Sequence, residues 1–286
     1  MIAELLSPFG YEYMMKAMWV SALVGAVCAF LSAYLMLKGW SLMGDALAHS
    51  IVPGVAGAYI LGFPFAVGAF FAGILASIAM TFVKQRSRLR EDAVIGLVFT
   101  SLFALGLLMA SIWPTSVSVQ TIVLGNILAI SNEDVIQVAA IAAVSLAALV
   151  LKWKDLMVTF FDESHARSIG LNTSGLKVLF FTLLSACTVA ALQTVGACLV
   201  IAMVVTPGAT AYLLTDRFGR LIVISVALGA STSFLGAYIS YFLDGATGGV
   251  IVTLQTLLFL AAFFFAPKHG RIAARRRQLT TAGAVP

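Results

Sequence analysis

The chain is made of apolar runs of membrane-crossing length separated by short polar breaks. An α-helix needs roughly 20 such residues to cross a hydrocarbon layer about 30 Å thick. Inside lipid, each backbone N–H and C=O must be satisfied within its own segment, so these runs are predicted to be helices. The two-residue alternation of a membrane β-strand does not appear. The candidate spans are 14–37, 45–61, 64–82, 93–113, 134–151, 178–192, 195–214, 221–243 and 248–266. A further run, 121–130, is too short to cross at 1.5 Å per residue and reads as a re-entrant or interfacial piece. Composition agrees: 61% of the 286 residues are hydrophobic and 10% are charged. Soluble domains carry about 25% charged residues, so a water-facing surface cannot be assembled from this inventory. The expected fold is therefore all-α, a polytopic transmembrane bundle of eight or nine spans. Residues 1–270 form the membrane domain, and 271–286 form a basic, disordered cytoplasmic tail.

Charge orients the bundle. Lys84, Arg86, Arg88 and Arg90 form one basic break, Lys152, Lys154, Arg167 and Lys177 share a second, and Arg217 and Arg220 share a third. The tail adds Lys268, Arg271, Arg275, Arg276 and Arg277. The alternate breaks near Ser116, Thr194 and Asp244 carry no Lys or Arg. Basic loops stay cytoplasmic, so these four segments and the C-terminus are expected inside. This accounts for the net charge of +5 without nucleic acid, whose binding would gather the charge on one folded surface. With nine spans the N-terminus lies outside and only Lys16 breaks the rule. If 39–61 is instead a re-entrant hairpin, the N-terminus lies inside and only Lys38 breaks it. No cleavable signal is expected, because Glu4 and Glu12 stand where a basic region would be. Cys28, Cys187 and Cys198 lie inside apolar runs and read as small packing residues.

Three stretches carry more than hydrophobicity. The first is Ser41-Leu42-Met43-Gly44-Asp45-Ala46-Leu47-Ala48-His49-Ser50-Ile51-Val52-Pro53-Gly54. Asp45 and His49 are four apart, on one face of a helix and one turn from each other. An acid within apolar sequence is costly, and such residues usually mark a substrate or ion path. Carboxylate with imidazole suits manganese, iron or zinc better than calcium or magnesium. The alternative is an Asp–His hydrogen bond that only satisfies two buried groups. Pro53 and Gly54 are expected to break the helix and release backbone groups beside the pair. Asn126, Glu133, Gln193 and Asp244 are further polar groups near apolar sequence, and Asp244 most simply starts a turn.

The second stretch, 161–171, lies in the longest internal basic break. Asp162, Glu163 and Ala166 at the start of a short helix, with Gly170 ending it, make capping sense. Such a helix is either an ordinary connector or a coupling helix that docks on a cytoplasmic partner. No phosphate-binding loop occurs in the chain, so an ATP-driven process would need a separate ATPase. The third stretch, 195–211, contains Pro207 and Gly208. Pro207 should kink its helix, and Gly208, Ala209 and Ala211 allow close helix approach, as in a gating or pore-lining helix.

Taken together, these stretches resemble the permease subunits of bacterial ABC importers for manganese, zinc and iron(II), above all the manganese/iron type. Residues 41–54 look like the family's Gly-Asp-Ala-Leu-Ser-His segment followed by Pro-Gly, with Ala48 in place of Ser. Residues 161–171 stand where the family contacts its ATPase. Residues 195–211 are similar to a Val-Gly run ending in Pro-Ala-Ala-Thr-Ala, with Gly208 replacing an Ala. A further departure is Ala246-Thr247-Gly248, where many members have Pro-Ser-Gly. The resemblance covers 14–270 and implies a bacterial inner-membrane permease that is not itself an enzyme. It implies as partners a cytoplasmic ABC ATPase dimer, a second permease copy or paralogue, a periplasmic or lipid-anchored solute-binding protein, and membrane lipid. No cofactor is expected to stay bound. The divalent metal is cargo, and Asp45 and His49 match positions that line the family's ion path. Two rival readings remain. A proton-coupled secondary carrier would show several intramembrane acids and inverted repeats. A permease for a metal chelate or vitamin would not need the Asp45–His49 pair. A zinc-dependent intramembrane enzyme would need His-Glu-x-x-His, which is absent.

Overall fold

In the computed structural model, residues 6–40, 42–63, 65–113 and 132–266 are described. The expected re-entrant piece at 121–130 and the tail from 271, with its boundary at 270, lie outside the described residues. The described chain forms eleven α-helices: α1 (Glu12–Lys38), α2 (Met43–Ser50), α3 (Val52–Leu61), α4 (Phe65–Arg86), α5 (Glu91–Ile112), α6 (Asn132–Phe161), α7 (Glu163–Ser168), α8 (Thr173–Val195), α9 (Ala197–Leu214), α10 (Phe218–Leu243) and α11 (Thr247–Phe265). Seven of them, α1, α4, α5, α6, α8, α10 and α11, are long and apolar enough to cross a membrane. The other two candidate spans, the α2–α3 pair and α9, are shorter apolar helices. The bundle is apolar outside as well as inside. Phe71, Leu108, Val144, Val223 and Leu257 are 57–67% exposed, a surface suited to lipid.

The core is organised around α1, whose apolar stretch is 78% buried against 17% for α11. Small residues make this burial possible. Ser21, Gly25, Ala29 and Ala33 recur every fourth residue on α1, as do Ser225, Gly229, Ser233 and Ala237 on α10. A Cβ on Gly229 would lie 2.5 Å from both the Gly25 carbonyl oxygen and Ala29 Cβ, so these backbones touch. Without a hydrophobic drive between helices in lipid, such close packing supplies the association energy. Ser225 adds a 2.6 Å hydrogen bond to the Ala29 carbonyl. Towards its C-terminal end α1 carries Tyr34, whose ring meets Phe30, Phe160, Phe180 and Phe218 at 5.0–6.0 Å.

Two contacts set the relative direction of α1 and α6. Lys16 Nζ, in the first turns of α1, donates to Asn132 Oδ1 at the start of α6 at 2.9 Å. Tyr34 Oη, near the end of α1, donates to the Trp153 carbonyl in the last third of α6 at 2.8 Å. The two helices are therefore parallel. Parallel helices need an odd number of passes between them. Counting the described helices alone, α4 and α5 give two passes, and the α2–α3 pair makes three only if it crosses. Lys16, the one cation that the nine-span arrangement puts on the wrong side, is paired with Glu12 at 2.5 Å.

Candidate ion path and connector helix

The α2–α3 pair is a crossing-length unit broken in the middle. Eight and ten residues of helix meet at Ile51, whose backbone stays near helical at φ −79° and ψ −14°. The break comes two residues earlier than Pro53–Gly54 suggests. Pro53 sits in the first turn of α3, where a residue without an amide hydrogen is tolerated. It also removes the amide that would bond the carbonyl of His49 in an unbroken helix. Gly54 serves packing rather than breaking: a Cβ there would run into the Gly68 carbonyl on α4, and one on Gly68 into Gly54. On its other side Pro53 lies against Gly106 of α5, where a Cβ would come 2.8 Å from the proline nitrogen.

Almost all of α2 is enclosed: Met43, Ala46, Leu47, Ala48, Ser50 and Ile51 are each 3% exposed or less. Among the described side chains of α2, His49 is the exception, half-buried. Its ring packs on Phe99 at 5.7 Å and edge-on to Phe103 at 5.1 Å, residues one turn apart in the middle of α5. His49 is therefore level with the centre of a crossing helix. The backbone of Asp45 lies on the same face of α2 one turn earlier, and its side chain lies outside the described part of the structure. Among the described residues, no group of three or more His, Cys, Asp or Glu side chains converges to form a closed metal cage. Of the other polar candidates, Asn126 and the side chain of Gln193 also lie outside the described part. Glu133 is exposed in the first turn of α6, and Asp244 ends α10 in the left-handed region at φ 47°. Both lie at helix ends, whereas His49 packs on the middle of α5. Asp244 starts a turn, as its neighbours predict.

Pro207 does not end its helix. α9 runs continuously from Ala197 to Leu214 through the proline. Its turn is joined to α1 by Ser32, which no sequence pattern singles out. Gly208 N donates to Ser32 Oγ at 2.9 Å, and Ser32 Oγ donates to the Val205 carbonyl at 3.0 Å. The position where the family resemblance has Ala is thus one where α1 comes close: a Cβ on Gly208 would lie 2.7 Å from Ser32 backbone atoms. Cys28 and Cys187 are buried free thiols in the core, as expected of packing residues, and the side chain of Cys198 lies outside the described part.

The connector α7 is built by local chemistry that the sequence shows. Asp162 caps it, its Oδ1 accepting from Ser164 N at 2.9 Å and His165 N at 3.1 Å. Gly170 ends it at φ 84°, with Gly170 N bonded to the Arg167 carbonyl and Leu171 N to the Ala166 carbonyl, both at 3.0 Å. Ala166 is fully buried, so the short helix is seated on the bundle and not free in solvent. Glu163 fastens it by ion pairs to Arg167 and to Lys177 of α8, each at 2.5 Å. The hydrogen bond from Lys177 holds the Glu163 carboxyl below its ordinary value of 4.5; burial works against this and Arg167 adds to it. Beside the connector opens a mainly apolar cavity of about 370 Å³, bordered by Leu37, Phe161, Asp162, His165, Tyr212 and Asp216.

This arrangement matches known proteins over nearly its full length. The profile of the ABC 3 transport family matches residues 10–266. The chelated iron transport system membrane protein YfeC of Yersinia pestis is 72% identical over 277 residues, which cover 97% of this chain and 94% of that protein. The manganese transport system membrane protein MntB of Synechocystis sp. is 49% identical over 277 residues, covering 96% of this chain and 90% of the relative. Among solved structures, PsaBC from Streptococcus pneumoniae in complex with Fab superposes with a TM-score of 0.85 at 35% identity. It covers 96% of this chain and 100% of the matched one.

Proposed function

The chain belongs to the ABC 3 transport family, and we propose that it carries manganese or iron(II) into the bacterial cytoplasm as the membrane permease of an ATP-driven importer. The observation that carries the metal reading is the broken α2–α3 unit, which sets His49 level with the middle of α5 and Asp45 one turn away on the same face. A dication stripped of water is costly in low dielectric, and an imidazole with a carboxylate offsets part of that cost. Two such ligands hold an ion only briefly, which a path requires. Zinc would bind the same donors more tightly than manganese, so preference is set outside this chain, by the solute-binding protein that delivers the ion.

The chain is a transport permease and not an enzyme. ATP is hydrolysed by a separate pair of ABC subunits that dock on α7 and on the cavity beside it. A capped, seated and ion-paired helix suits this task, because it can pass a push to α6 and α8 without unravelling. A second copy of the permease or a paralogue completes the pathway. The parallel run of α1 and α6 favours nine passes, with the N-terminus outside and the C-terminus inside. Membership of an ABC family sets aside the proton-driven carrier.

The test is accumulation of radioactive manganese and iron(II) by cells making the complete transporter. Uptake is expected to stop when ATP is depleted and to persist when the proton gradient alone is collapsed. Uptake that follows the proton gradient would contradict the proposal, and uptake of a chelate but of neither free ion would replace the cargo.

A further inference from the structure

We infer that Ser32 is a positioning residue for the ion path: its hydroxyl fixes the proline turn of α9 on which α2 is seated. The inference rests on the ion-path reading of Asp45 and His49. Pro207 supplies no amide hydrogen and crowds the turn before it, so α9 is weakest where it carries this residue. Ser32, fully buried on α1, uses its hydroxyl in both senses on that one turn. It accepts from Gly208 N at 2.9 Å and donates to the Val205 carbonyl at 3.0 Å.

The same turn supports α2. Val204 lies between the proline turn and α2, and a Cβ on Gly44 would come 3.1 Å from Val204 Cγ1. Gly44 immediately precedes Asp45 and is five residues from His49. A displacement of the α9 turn therefore reaches the two ion-path residues through one van der Waals contact.

On its opposite side the turn faces α10 and α11. Pro207 and Thr210 border a small cavity of about 10 Å³ together with Leu228, Thr232, Gln255 and Leu258. There the side-chain amide oxygen Oε1 of Gln255, a residue 3% exposed, accepts no hydrogen bond among the described residues. The α1 side thus supplies two hydrogen bonds to the turn. Ser32 is what locates it.

Ser32→Ala removes both hydrogen bonds and adds no volume. Ser225→Ala is its control: it removes an equally buried serine hydrogen bond, to the Ala29 carbonyl, that lies between α10 and α1 and does not involve α9. Both variants are measured in the assembled transporter at matched membrane amounts, by amide hydrogen exchange over 203–211 and by manganese uptake. Ser32→Ala is expected to speed exchange there about thirty-fold, the effect of two ordinary hydrogen bonds, and to reduce uptake markedly. Ser225→Ala should leave both near wild type. Unchanged exchange in Ser32→Ala, faster exchange with normal uptake, or equal impairment by both variants would each overturn the inference. The ion-path reading fails separately: Asp45→Ala and His49→Ala would then transport normally, whatever Ser32→Ala does to the exchange of α9.

Discussion

Tyr34 Oη donates a 2.8 Å hydrogen bond to the carbonyl oxygen of Trp153, a residue 119 positions away. The bond joins α1, the most buried of the seven long helices, to α6 nearly three turns before the connector α7, inside the ring of Phe30, Phe160, Phe180 and Phe218. Tyr34→Phe keeps the ring and loses the bond, so it should cost about 1 kcal/mol. Tyr34→Ala also empties the cluster and should cost about 3–5 kcal/mol. Thermal unfolding of the purified protein checks the order: wild type above Tyr34→Phe, and Tyr34→Ala far below both.

The crossing of α1 and α10 tolerates no side chain at its centre. Gly229→Val would put carbon atoms onto the Gly25 carbonyl, which belongs to backbone and cannot rotate away. The expected cost is about 3 kcal/mol, with a sharp fall in folded protein recovered from membranes. Gly96→Ala, in open space on α5, is the matched control and should be nearly neutral. Membrane levels and melting temperature of the two variants decide the point.

The connector should fail at either end. Asp162→Ala removes the acceptor for two backbone amides and should cost about 1 kcal/mol. Gly170→Ala forces a side chain to φ 84° and should cost a similar amount, about 1 kcal/mol. If α7 transmits ATP hydrolysis, both variants should let the ATPase turn over with less metal moved per ATP. The ratio of uptake to phosphate release measures this, and an unchanged ratio would mean that α7 is only a link between α6 and α8.

Acid should loosen the same connector. The native carboxyl of Glu163 titrates below its ordinary value of 4.5, chiefly because Lys177 bonds to its charged form. A lowered native value means that the stabilisation is complete above the unfolded value and disappears as pH falls through the native one. The melting temperature of wild type should therefore exceed that of Glu163→Gln at neutral pH, and the gap should close below 4.5. A gap that persists in acid would mean that the ion pairs of Glu163 are not its cause.

The connector was legible because its determinants are neighbours: Asp162 reaches residues two and three ahead, and Gly170 closes a turn begun at Ala166. The long spans were legible because lipid demands uninterrupted apolar helix. The α2–α3 break was legible in kind but misplaced by two residues, since Pro53 disturbs the turn that precedes it while fitting its own. Ser32 and Tyr34 were not legible. A serine or tyrosine in an apolar helix carries no local mark, and their partners lie 176 and 119 residues away. The same holds for Phe99 and Phe103, whose meaning comes from the helix opposite them. Gly208 showed only that a close approach was possible, not which helix makes it.

Asp45 and His49 are assigned to the route of the ion. The most direct measurement is uptake of manganese, iron(II) and zinc, each supplied alone, by cells holding the complete transporter with wild-type chain, Asp45→Ala or His49→Ala at matched membrane amounts. Both variants should assemble with their partners and lose uptake by about a hundred-fold or more, as expected when a stripped dication loses one of two ligands. Normal uptake by both variants would contradict that assignment and reduce Asp45 and His49 to a pair that holds α2 in place.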